Sequence, residues 1–507
     1  MGAQNNIFDP VPAERLALLS HDELLEFSRL QQKVNEQLFL DNKRLRSLSH
    51  ELGQKALFVE DRYIVLKNKF FGKSSEKEGS EKKEDPSPRP KKRKIQLLSE
   101  RYSELPRIER DVEFQDLPDC RCCGVKLKDS GMTEDSEFIT IIPKQYIVVI
   151  QKRHKYRCEK CHGDIQTAPN PPRIKAGSSY SDEMMMDVAM SKYCDLIPIG
   201  RYARIAERSG ATDLPPQSLI ETTHHVAEFV RPAYELLKEE VLSERVLHAD
   251  ETPHRMLEGD DTSHWYLWGF SSAKSSFFEA HDTRSGDVAS GYLKNSKCEF
   301  LVSDVFSGYG RAVREANEVR IELGLPKIYN AYCNAHARRK FKEAKERFSE
   351  EAQFFIDSYK EIYHLESTII DKPPDVALEI RHQMTRYFDQ MKTRAIELIP
   401  AFSTKSSLGK AMGYFLGNFK ELTVFIKNEA VPIDNNPQER LLRNPVIGRK
   451  TWYGTHSRRG AETMAILFSL IESCKLNRVN PRQYLKQLVT DLHEGKKPYT
   501  PRTLSVH

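Results

Sequence analysis

The chain has 507 residues, 39% hydrophobic and 30% charged, with a mean hydropathy of -0.60, which leaves room for about three to five folded units. It offers no apolar run near the ~18 residues that cross a bilayer, so a membrane protein is excluded. Lys and Arg total 78 against 73 Asp and Glu, a net charge of +5; that is too small to imply a nucleic-acid partner, so the placement of charge must carry that question. Nine cysteines in a chain this long argue for reduced thiols, metal ligands or core residues rather than a disulfide framework. The first twenty residues lack a basic n-region and an apolar h-region, and Asn6 stands where a myristoylation motif needs Ser or Thr. The expected compartment is the cytoplasm.

Steps of seven from Leu24 meet Gln31, Leu38, Leu45, Leu52, Val59 and Leu66, with Phe27, Val34 and Leu48 at the second seam position. The pattern predicts a coiled coil or helical hairpin; the alternative is one amphipathic helix lying on its own protein. Gly72, Ser74 and Ser75 end it, and a charged, proline-bearing linker follows. Within the linker Arg89, Lys91, Lys92, Arg93 and Lys94 gather positive charge without apolar anchors, either to hold DNA phosphates or as a solvated tether.

Cys120 and Cys123 form one C-x-x-C pair and Cys158 and Cys161 another, a donor set that closes a tetrahedron around one structural zinc. Cys122, His154 and His162 are spare donors. The segments 138–142 and 146–150 read as strands that return the chain between the pairs. A redox dithiol is the alternative, without its usual βαβ setting. Farther on, 201–210 and 216–220 have the rhythm helix, glycine turn, helix, compatible with a helix-turn-helix.

From 246 the pattern is a strand ending at Asp250, strands at 264–270 and 276–280, a helix near 285–293, and an apolar strand ending at Asp304. In this βββαβ order, pairing of the first and fourth strands would set the two acids side by side, the placement two divalent ions require. A third acid must come from a later helix. The segment 433–440 opens one: Asp434 reads as its cap, and Glu439, inside its first turns, reads as the ligand. Arg440, Arg443, Arg449 and Lys450 place cations beside it for DNA phosphates; a solvated basic face is the alternative.

The leucine heptads, the run from Phe71 to Glu76, the C-x-x-C-G knuckle, His248 to Thr252, Cys333 to Phe341, and Asp434 to Arg440 together resemble transposases of the bacterial insertion sequence 66 type. These belong to the DDE superfamily. The resemblance implies a multi-domain α+β chain: an N-terminal coiled-coil helix, a zinc-ribbon and helix-turn-helix DNA-binding region, and an RNase H-like α/β core with a helical insertion. The expected divisions are a helical arm at 1–73, a basic linker at 74–110, a zinc module at 111–175 and a helical region at 176–242. The core is expected in two parts, 243–336 and 429–486, around an insertion at 337–428, with a tail at 487–507. The resemblance also implies Asp250, Asp304 and Glu439 as catalytic ligands of two Mg²⁺ or Mn²⁺ ions, Cys333 and His336 as supporting residues, and double-stranded DNA as substrate. It further implies a homodimer or higher oligomer, accessory proteins from the same element, and a nucleoid-associated bacterial location. A nuclease on the same scaffold without strand transfer, or a DNA-binding regulator, are the rival functions.

Overall fold

The computed structural model describes scattered positions between 20 and 44, most positions between 97 and 159, and residues 165–257 and 264–504. The described positions from His21 to Arg44 are helical and exposed. The heptad residues from Leu24 to Leu66, the basic run Arg89 to Lys94, and Cys120, Cys123 and Cys161 lie outside the described residues. Two compact units are present, one of residues 1–73, 170–202 and 215–507, the other of 74–169 and 203–214.

The smaller unit holds a short helix α1 (Leu98–Arg101) and an antiparallel hairpin of β1 (Lys155–Arg157) and β2 (Ile165–Thr167). The strands expected at 138–142 and 146–150 do not form; Ile141 is 82% exposed and Val148 92%. β-branched composition favours a strand only where a neighbour pairs its edge and a face is covered. The described residues supply neither there, and the hairpin forms instead on both sides of the exposed Cys158.

In the larger unit, α2 (Asp182–Tyr193), α3 (Ile199–Arg208, whose residues from 203 group with the smaller unit) and α4 (Pro216–Leu242) lead into a mixed sheet. The second helix of the supposed helix-turn-helix is thus a 27-residue helix whose Val226, Val230 and Leu237 are core residues. The sheet comprises β3 (Val246–Arg255), β4 (His264–Ser271), β5 (Ser276–His281), β6 (Phe300–Ser303) and β7 (Tyr329–Tyr332), in the spatial order β5-β4-β3-β6-β7. β3, β4 and β5 are antiparallel neighbours, while β3, β6 and β7 run parallel. Between β5 and β6 lies α5 (Gly286–Leu293), capped by Ser285, and α6 (Ser307–Glu322) joins β6 to β7.

β3 does not end at Asp250. It continues to Arg255 because β4 pairs with it along its whole second half, from Asp250↔Gly269 to Arg255↔His264. Asp, Glu, Thr and Pro in succession look like a strand end, but a full-length antiparallel partner overrides weak local propensity.

The outer strand β5 is sealed by side chains. From α13 (Arg458–Leu476), Ser469 Oγ accepts the Phe278 N–H at 2.8 Å, and Ser473 Oγ both accepts from Ser276 N–H and donates to Ser276 C=O at 3.0 Å. Tyr234 Oη donates to Phe278 C=O at 2.9 Å. These bonds satisfy backbone groups that an edge strand otherwise offers to another chain.

Between β7 and residue 434 the chain is helical: α7 (Asn334–Lys345), α8 (Ser349–Thr368), α9 (Pro374–Leu398), α10 (Ser407–Gly417) and α11 (Phe419–Leu422). They bury a second core around Phe341, Phe355, Phe388 and Phe415, which reaches Phe300 and Val302 of β6 and Ala331 of β7, with the Phe341 and Phe355 rings stacked at 4.3 Å. Arg381 of α9 ties this bundle to the segment that returns to the sheet. Its Nη1 donates to the carbonyls of Phe425, Asn428, Glu429 and Val431, while Nε and Nη2 hold the Glu366 carboxylate at 3.1 and 2.6 Å. The chain then enters α12 (Asn436–Trp452), α13 and α14 (Pro481–His493).

Because Arg381 is 4% exposed and its guanidinium holds four backbone carbonyls together with the Glu366 carboxylate, Arg381→Leu should cost on the order of 3 kcal/mol of unfolding free energy. Urea denaturation followed by circular dichroism checks this, and Arg381→Lys should recover only a part, since a single ammonium cannot reproduce the fork.

Candidate active site

The parallel pairing of β3 with β6 sets Val246 opposite Phe300, Leu247 opposite Leu301 and His248 opposite Val302. Asp250 lies two residues past His248, and Asp304 two residues past Val302. Neighbouring parallel strands about 4.8 Å apart therefore carry the two carboxyls at one level and on one face. Asp304 Oδ1 accepts the Phe306 N–H at 3.1 Å, which fixes the turn into α6.

Glu439 arrives from the far end of the chain on α12, and Asn435 determines where that helix begins. Asn435 Nδ2 donates to Ala249 C=O at 2.9 Å, its Oδ1 lies 2.8 Å from His248 Nδ1, and its N–H donates to Cys333 Sγ at 3.2 Å. Since the amide oxygen can only accept, His248 Nδ1 carries the proton. Burial pushes His248 down to about 4, so the imidazole is neutral. Asn435, not Asp434, is the N-cap residue; Asp434 stands one position earlier and still accepts from Asn436 N–H at 3.1 Å, as well as from Tyr363 Oη at 3.2 Å. On the next turn Gln438 accepts a 2.5 Å bond from Ser271 Oγ. It packs where β4 has Gly269, the partner of Asp250; a Cβ at 269 would collide with Gln438 and the Phe278 ring.

Asp250 is held up at about 8, first by burial and then by the charges of Glu251, Asp304 and Glu439. The structure thus gathers all three acids expected from the sequence, plus a fourth. Glu251 projects to the opposite face, where Tyr309 Oη donates at 2.5 Å and Arg284 pairs with it at 2.6 Å. Glu439 Oε1 is buried with no hydrogen-bond partner among the described residues, and lies 3.6 Å from His336 Nδ1. Mutual repulsion together with an orphaned carboxylate oxygen is what a binding place for divalent cations requires of its donors.

Along α12, Arg440, Arg443 and Lys450 are exposed, whereas Arg449 is half-buried and donates to Thr252 Oγ1 at 3.2 Å. Sequence reasoning missed Asn435, His248, Gln438, Gly269 and Arg284. The pairing of a histidine before the first acid with the central asparagine of D-N-N was the available signal.

Residues 177–463 match the family described as Transposase IS66 family. The chain belongs to this family. It is also similar to three proteins of Sinorhizobium fredii (strain NBRC 101917 / NGR234). Uncharacterized protein y4hP is 25% identical over 75% of this chain and 72% of its own length. Uncharacterized protein y4jD is 27% identical, covering 77% and 78%. Uncharacterized protein y4qI is 26% identical, covering 77% and 73%.

Two outcomes follow for this transposase-family chain. The Asp250 carboxyl keeps its proton up to about 8 in the folded state but only to about 4 when unfolded, so without cations stability falls as pH rises from about 4 to about 8. Asp250→Asn removes that loss and should stabilise the cation-free protein at pH 8 by on the order of 2 kcal/mol, with little change at pH 4, read as melting temperature in EDTA. Gly269→Ala should displace α12, costing about 1–3 kcal/mol, and a measured urea midpoint equal to that of the parent would contradict the packing described.

Proposed function

We propose that this chain is a DDE-type DNA transposase that binds the terminal inverted repeats of its element, cleaves a strand at each end and joins the freed end to target DNA. The observation that carries this reading is the convergence of Asp250 and Asp304, level on adjacent parallel strands, with Glu439 on a helix tethered to the same strand. The βββαβ order and mixed sheet support an RNase H-like core interrupted by the helical bundle.

In this reading Asp250, Asp304 and Glu439 hold two divalent ions, Mg²⁺ or Mn²⁺, which supply an acidified water and neutralise charge on the reacting phosphate. The protein's own residues do the positioning. Asn435 fixes Glu439 relative to Asp250, Gln438 and Gly269 set the depth of α12, and Arg440, Arg443, Arg449 and Lys450 draw the DNA backbone along the helix. Cys333, which accepts the Asn435 N–H, and His336 support the core. Outside the core, the heptad arm pairs protomers so that both ends are processed together. One zinc on Cys120, Cys123, Cys158 and Cys161 shapes the DNA-binding module, and Arg89, Lys91, Lys92, Arg93 and Lys94 add phosphate contacts.

Purified protein incubated with Mg²⁺ and DNA carrying the element's ends should yield nicked and joined products. Asp250→Ala, Asp304→Ala and Glu439→Ala should each lower both yields by about 10³-fold or more while DNA affinity changes little. Cleavage without joining, in the presence of the element's other proteins, would point to a nuclease; equal DNA binding with no cleavage by any of the four proteins would point to a regulator.

A further inference from the structure

Cys333, His336 and Glu439 each direct a donor atom to one spot, the three atoms lying within 4.8 Å of one another. Cys333 is fully buried at the N-terminus of α7, and His336 is one turn along the same helix. Glu439 comes from α12. Neither His336 Nδ1 nor Glu439 Oε1 has a hydrogen-bond partner among the described residues, although both atoms are buried. Their 3.6 Å separation is too long for a hydrogen bond. It is close to the ~3.4 Å that separates two donors each about 2.1 Å from a tetrahedral ion.

The sulfur is prepared for the same task. Asn435 N–H donates to Cys333 Sγ at 3.2 Å, and the His336 N–H also acts on it. Donors of this kind stabilise negative charge on sulfur, and the helix N-terminus adds to them. Burial alone opposes that charge and pushes the thiol up, so the proposed ion has to displace a proton from sulfur. A hard cation such as Mg²⁺ displaces a thiol proton poorly; a thiophilic one does it readily.

We propose that Cys333, His336 and Glu439 form a site for a single thiophilic divalent cation, zinc being the natural one, with a fourth position open to water or a phosphate oxygen. The site shares Glu439 with the catalytic carboxylates and differs from them in its sulfur and imidazole. Zinc bound there takes Glu439 away from Asp250 and Asp304 and so represses strand cleavage. That consequence rests on the proposed function, whereas the site itself does not.

The test uses Co²⁺ as probe, added to the full chain in reducing, Mg²⁺-free buffer. The wild type should bind one ion more than Cys333→Ala, and the difference spectrum should show a sulfur-to-cobalt charge-transfer band with intense visible bands of four-coordinate cobalt. The four cysteines of the expected zinc module contribute equally to both proteins and cancel. His336→Ala, at a partly exposed position, should keep its fold and weaken this ion by at least about 10-fold; it decides the matter if Cys333→Ala fails to fold. Asp250→Ala should retain the band, which separates this site from the catalytic reading. Superposable spectra and equal stoichiometry for wild type, Cys333→Ala and His336→Ala would overturn the proposal, as would loss of the band in Asp250→Ala.

Discussion

The Asn435 side chain is the constraint on which the arrangement of the larger unit turns. One amide reaches the β3 backbone at Ala249 and the His248 ring, and the same residue's N–H reaches Cys333 at the start of α7. Three segments distant in sequence are thereby fixed within one residue of Asp250. An aspartate in this place would lose the donor to Ala249 C=O and leave a charge buried with no counterion. The surroundings reinforce the knot: Asn334 Nδ2 donates to the carbonyls of Leu422 and Ile433, and Arg381 collects the carbonyls just upstream. The loop entering α12 is therefore held from both the sheet and the bundle.

Against this rigid frame stands an electrostatic arrangement that opposes folding. Asp250, Asp304 and Glu439 are brought together although their charges repel, and Glu251 adds to the repulsion from the neighbouring strand position. Glu251 is relieved by Arg284 and Tyr309, and the same guanidinium also acts on Asp304. The repulsion that remains around Asp250 costs stability in the cation-free state and creates affinity for whatever positive charge is offered. His248 and His254, each pushed down to about 4 by burial, act as uncharged hydrogen-bonding struts, to Asn435 and Thr455 respectively.

Much of this was legible in the sequence because it rests on local pattern. The strand order, the helix capped by Ser285 and the acids at 250, 304 and 439 follow from periodicity, turn chemistry and spacing. What was not legible depends on partners far away in the chain. β3 passes through Asp250 because β4 pairs with it, which no propensity in 250–255 announces. Asp434 looked like a cap, yet Asn435 occupies that position because its amide is drawn to Ala249. Ser469 and Ser473 interrupt an apolar helix for no local reason, and find their purpose only at the edge of β5. The apolar runs at 138–142 and 146–150 erred the other way: strong local strand character without a partner to pair with.

The helical bundle between β7 and α12 has a consequence in time. Ribosomes deliver the chain from its N-terminus, so β3 to β7 emerge with Asp250 and Asp304 long before Glu439 and the serines of α13 that seal β5. Until then the nascent sheet has an open edge and its pair of acids lacks the third. The order of synthesis itself keeps an incomplete copy from having an assembled site, and any chain terminated within the bundle is born without one.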